Sequence, residues 1–262
     1  MNAHSPYRQA RATLRIYVNC ATRAARDLVQ NWPIILGSIV AYFVFIQLVV
    51  IFGGMGLAGG FLLGAAQIAL LSFYYSWIAE TVQQHRVKLK QLTHFEASLF
   101  FAIISVAFLI FIVDFLARPL LGDPGSRWAF WVIQLAIFRL LNAVAEVIYI
   151  QRAEGIESMG QSVNFIKENW IEWFTPLLIF FLPLLRINPS EVLVNFAQAD
   201  PLIPPLPVIA EVGALLSQYA PALGIVGTVL AVAIGNWFMV FRGHLFITLA
   251  GSNRRQRIMQ YG

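Results

Sequence analysis

"WAFWVIQLAIFRLLNAVAEVIYI", residues 128–150, is apolar enough to cross a bilayer yet carries an arginine near its middle. A spanning helix needs about 20 mostly apolar residues, and only Gln134, Arg139, Asn142 and Glu146 interrupt this run. On a helix, Arg139, Asn142 and Glu146 fall within an arc of about 60°, with Trp131 and Tyr149 on the same face. The stretch therefore reads as one continuous span with a single polar stripe. Arg139 lies about eleven residues from either end, near the bilayer centre. An arginine there costs at least ~2.5–3.5 kcal/mol on insertion scales, so the stripe is expected to face protein or water.

The rest of the chain agrees with a membrane setting. Of its 262 residues, 59% are hydrophobic and 12% charged, and the mean hydropathy is +0.71. Soluble domains carry about 25% charged residues. So little polar surface cannot cover a water-soluble globule, and the reading is an all-α, polytopic integral membrane protein. Cys20 is the one cysteine, which excludes an internal disulfide and any multi-cysteine cluster.

Besides Trp128–Ile150, four runs are long enough to span: Pro33–Phe52, Leu57–Ala79, Ala97–Ala117 and Tyr219–Phe241. A sixth, Trp170–Leu185, is short and holds Glu172, Pro176 and Pro183. Charge decides in its favour. With six spans, one side collects Arg8, Arg11, Arg15, Arg23, Arg26, Arg86, Lys88, Lys90, Arg152, Lys167, Arg242, Arg254, Arg255 and Arg257. The other side keeps only Arg118, Arg127 and Arg186. Lys and Arg next to spans stay cytoplasmic, so both termini are expected inside, at the inner membrane. All seven tryptophans fall within a few residues of a span end, where amphipathic rings prefer to sit.

The domain layout follows. Residues 1–32 form a cytoplasmic arm, 33–248 a single six-helix domain with an external loop at 186–218, and 249–262 a basic tail. The arm reads as an amphipathic helix, with Leu14, Val18, Ala21, Ala25 and Leu28 on one face and five arginines on the other. Such a helix is expected to lie flat in the headgroup layer. Arg8, Arg11, Arg15, Arg23 and Arg26, with Arg254, Arg255 and Arg257 of the tail, are the expected contacts to anionic lipid. The net charge of +5 is read as membrane attraction and orientation, not as nucleic-acid binding.

A faint repeat runs through the chain. "DLVQNW" precedes the first span and "FIKENW" the fifth, while "IAETVQQHR" leaves the second and "VAEVIYIQR" the fourth. Three units, each an interfacial helix and a helical hairpin, are a possible reading of this pattern, and internal repeats are common in transporters.

The candidate site is the intramembrane stripe Arg139, Asn142 and Glu146, with Glu80 beside the inner mouth. Glu80, Asp114, Gln67 and Asn236 are the available partners on other spans. Asp114 and Arg118, four apart, are expected to pair with each other. Two readings stand: an anchor for an anionic substrate or headgroup, or a buried network that fixes packing.

No metal or cofactor site is expected. The four histidines lie in arms, loops or the last span end, and there is no zinc-protease motif, nucleophile turn or phosphate loop. The function expected is a non-enzymatic subunit or scaffold of a membrane complex, or a lipid-handling component, with membrane-protein partners or a homo-oligomer. The alternative is a permease subunit with an anion site at Arg139. In layout alone, over the whole chain and with no specific motif, the sequence resembles the membrane subunits of ABC exporters. That resemblance implies a cytoplasmic ATPase docked on residues 80–96 or 151–169.

Overall fold

The computed structural model describes residues 6–84, 86, 94–121, 125–187, 201–202, 221–252 and 256–257, and these are helical throughout apart from short connections. The helices are α1 Pro6–Gln30, α2 Pro33–Phe52, α3 Gly56–Gln84, α4 Ala97–Ala117, α5 Arg127–Leu140, α6 Val144–Gln151, α7 Gly155–Ile187 and α8 Pro221–Ala250. Four of them are long and apolar enough to cross a membrane, and the bent pair α5 and α6 makes a fifth if counted as one span.

Burial is uneven. In α2, 6% of the apolar window is buried, against 67% in Val229–Ala250 of α8. The last helix is therefore the axis of the packed region, and α1, α2, α3, α6 and α7 all touch it. The core gathers the C-terminal half of α3 and the N-terminal half of α4 with α6 and α8, around Tyr75, Ile103, Ile148 and Leu245. The remaining lengths of α2, α3 and α4 expose large apolar side chains such as Phe43, Phe61 and Phe111. In water that would be prohibitive; against lipid it costs nothing.

Helix α1 has three faces rather than two. Ala12, Ile16, Cys20, Ala24 and Leu28 recur at four-residue steps and are buried, chiefly against α8. Leu14 and Val18 stay 62% and 55% exposed, and Arg11, Arg15, Arg23 and Arg26 are exposed beside them. The arm is docked on protein, because small residues at its buried steps let two backbones approach closely. The indole of Trp237 on α8 donates to the Ala21 carbonyl at 3.3 Å.

Breaks in the helices are filled by side chains. At the α1–α2 junction, Asn31 donates its Nδ2 to the Asp27 carbonyl at 2.7 Å, and Pro33 opens α2 where its missing N–H is harmless. Within α7, Asn169 leaves helical geometry at φ −126° and ψ 17°. It donates to the Phe165 carbonyl at 3.1 Å. Both Asn-Trp steps thus mark a bend between a preceding helix and an apolar one. Further along α7, Pro176 has no N–H for the Glu172 carbonyl four residues back. The hydroxyl of Tyr17 on α1 donates to that carbonyl at 2.7 Å.

One point of the segment between α7 and α8 is packed in the core. Leu202 is 3% exposed within the core, and its carbonyl accepts a hydrogen bond from the Tyr75 hydroxyl. Tyr75 lies nineteen residues into α3, about 28 Å along its axis. Residues 201–202 therefore sit in the packed end.

Candidate functional site

The run 128–150 is not one helix. α5 stops at Leu140, Leu141 and Ala143 take bridge geometry with ψ of 8° and 5°, and the axis turns by 41° into α6. Residues Val147–Gln151 wind as π-helix. A broken helix leaves carbonyls without partners, and two side chains from elsewhere take them. Ser162 of α7 donates to the Leu140 carbonyl at 3.0 Å. Arg242 of α8 donates through Nη2 to the Asn142 carbonyl.

Arg242 does much more than cap the break. Its Nε and Nη2 donate to the two carboxylate oxygens of Glu146 at 2.8 and 2.9 Å. Its Nη1 donates to Asn142 Oδ1 at 3.2 Å. These bonds use four of the five N–H donors of a guanidinium. The indole of Trp173 lies over the charge, 4.7 Å from Cζ to ring centroid, and donates its own N–H to Asn142 Oδ1 at 2.9 Å. Arg242 is 3% and Glu146 0% exposed. A bidentate pair with a cation–π cover is the arrangement that makes a buried charge tolerable.

Arg139 takes no part in this network. It is exposed and sits over the ring of Trp170 at 5.7 Å. The expected stripe is thus divided: Asn142 and Glu146 are buried together, whereas Arg139 is on the far side of the break. The expectation failed because it assumed 100° per residue through residues 141–143. Arg242 was read as a flank, since the apolar run seemed to end at Phe241. The signal against that reading was present: Leu245, Phe246, Ile247 and Leu249 follow it within seven residues. Glu80 is half-buried near the end of α3. Asp114 and Arg118 pair at 2.9 Å, as their spacing implies, and Gln134 joins Asp114 at 2.8 Å.

Of the residues expected to meet anionic lipid, Arg11, Arg15, Arg23 and Arg26 are exposed. Arg257 is not available: it is buried, donating to the Leu249 and Ser252 carbonyls and to Asn169 Oδ1, each at 3.0 Å. It fastens the end of α8 to the bend of α7. The side chain of Arg8 and residues Arg254 and Arg255 lie outside the described residues. A second buried polar pair was not anticipated, His244 Nε2 against Asp27 Oδ2 at 2.9 Å. It joins α8 to α1 two residues beyond Arg242, on the opposite side of the helix.

Beside these networks lies a cavity of 360 Å³ between α2, α3 and α8, lined by Ser38, Ala41, Tyr42, Phe45, Gln67, Leu70, Leu71, Tyr74, Trp77, Val232 and Asn236. No acidic or basic residue is among them. Gln67 and Tyr42 are exposed at its edge. Ser38 donates to Asn236 Oδ1 at 3.1 Å. Gly37 leaves room for the indole: a Cβ there would stand 2.9 Å from the Trp77 ring.

No protein-family model, curated protein or solved structure matches this chain. The chemistry of the site therefore rests on its own geometry. The Arg242–Glu146 pair is neutralised within itself, which suits it to holding a broken helix in place and not to capturing an anion. The cavity between α2, α3 and α8 is uncommitted space.

Proposed function

We propose that this chain is a non-enzymatic integral protein of the inner membrane, acting as subunit or scaffold of a membrane complex or handling lipid. The observation that carries this reading is α2, whose apolar window is 6% buried. Lipid or another membrane protein must cover the remainder. Dense packing around α8, with Arg242 paired to Glu146 and His244 to Asp27, supports a rigid body that presents apolar helices to its surroundings.

In this reading six segments cross the bilayer, with Trp170–Leu185 of α7 as the fifth, and both termini are cytoplasmic. The three-hairpin repeat belongs to the same proposal, and the two asparagine-marked bends support it. Arg11, Arg15, Arg23 and Arg26 then face anionic headgroups.

The test is affinity purification of the tagged chain from membranes in mild detergent, followed by mass spectrometry. Recovery of a reproducible set of membrane proteins, or of stoichiometric lipid, is the expected result. A bare monomer with neither would overturn the proposal. A cytoplasmic ATPase in stable complex would replace it with the permease reading.

A further inference from the structure

The cavity between α2, α3 and α8 has a feature its size alone does not explain. Trp77 Nε1 and Tyr74 Oη are buried in its wall with no hydrogen-bond partner. A buried donor left unmade is unfavourable, and an indole N–H offers only a donor. Two adjacent donors in one apolar wall call for acceptors that the described residues do not provide.

Shape and charge narrow the occupant. Gln67, Tyr74 and Trp77 line one face of α3 over ten residues, about 15 Å of helix. The space is thus a slot along the helix, with exposed Gln67 at its edge on an apolar, lipid-compatible surface. With no charged residue in its lining, it offers nothing to a phosphate or a carboxylate. We infer that the cavity binds an uncharged lipid whose carbonyl oxygens accept hydrogen bonds from Trp77 and Tyr74. Ester carbonyls of an acylglycerol and ring carbonyls of an isoprenoid quinone share that chemistry. This inference rests on the lipid-handling branch of the proposed function; the complex-subunit branch is tested separately, by co-purification.

The experiment uses the full chain in nanodiscs of phosphatidylcholine with two photoactivatable probes, a diacylglycerol and a quinone analogue, and maps crosslinks by peptide mass spectrometry. Saturable labelling by one probe, confined to residues 38–45, 67–77 and 232–236, is expected, and the probe that labels identifies the source. Tyr74→Phe and Trp77→Phe each remove a donor while keeping an apolar wall. Each should weaken the probe's apparent Kd roughly five- to tenfold, with thermal unfolding unchanged or raised. Ala41→Phe, which fills the slot, should abolish labelling. Labelling spread over every exposed helix, labelling by neither probe, or donor variants that bind as the parent does would each overturn the inference. If the variants fail to fold, competition by unlabelled diacylglycerol or quinone against the parent protein decides. No displacement by either means that the cavity holds water only.

Discussion

Arg242 and Glu146, separated by 96 positions, are joined by two hydrogen bonds of 2.8 and 2.9 Å in a site where both side chains are buried. Removing one partner of such a pair strands a charge and costs about 3–5 kcal/mol. Arg242→Leu and Glu146→Leu should each lose about that much. The double variant should lose less than the sum by about 2 kcal/mol or more. It should not recover fully, because the Asn142 carbonyl keeps no donor. A double-mutant cycle of unfolding in detergent checks this; simple additivity would contradict it.

Gly243 follows Arg242 in tightly filled space. A Cβ there would come 2.8 Å from Val82 Cγ2 and 3.1 Å from Tyr149 Oη. Gly243→Ala should therefore destabilise by about 1–3 kcal/mol through overpacking. Gly160, exposed in α7, meets nothing within 4 Å, and Gly160→Ala should stabilise by roughly 0.5–1 kcal/mol. Opposite shifts in melting temperature are the expected outcome.

The docking of α1 is open to a chemical test because Cys20 is the sole cysteine. It is buried at 3.8 Å from Thr248 Oγ1, and burial pushes its thiol above the ordinary range, more than the hydrogen bond it shares with Thr248 lowers it. A charged maleimide should label it slowly at pH 7 and fully after denaturation. Tyr17→Phe, which leaves the Glu172 carbonyl without its donor, should speed labelling.

The same contact has a pH signature. Burial pushes the Tyr17 phenol up to about 12 from 10.0, so the neutral phenol is the form the docked helix favours. Its contribution is full below pH 10 and falls as pH rises toward 12. The Tyr17→Phe variant should lack that component of alkaline loosening when Cys20 labelling is followed against pH.

Composition made the all-helical class of this protein legible, because twenty-residue apolar runs follow directly from bilayer thickness. Asp114 and Arg118 were legible as well, since an i, i+4 pair needs only local geometry. The site was legible by half. Asn142 and Glu146 stood out as polar groups in an apolar run, but their partner did not. Residues 141–143 carry no proline or glycine, so no local signal announced the break that frees their carbonyls. That break is stabilised by Arg242 and Ser162, contacts 100 and 22 positions away. The docking face of α1 was hidden for a related reason. Ala12, Cys20 and Ala24 are small, and they weigh less in a hydrophobic stripe than Leu14 and Val18, yet close backbone packing selects them.

The central claim is that Arg242, not Arg139, is the arginine on which the packed end depends. Thermal unfolding of Arg242→Leu and Arg139→Leu, measured side by side in the same detergent, tests it most directly. Arg242→Leu should lose several kcal/mol and Arg139→Leu about 1 kcal/mol or less, the worth of an exposed cation–π contact. Equal losses, or a tolerant Arg242 beside a sensitive Arg139, would contradict the account.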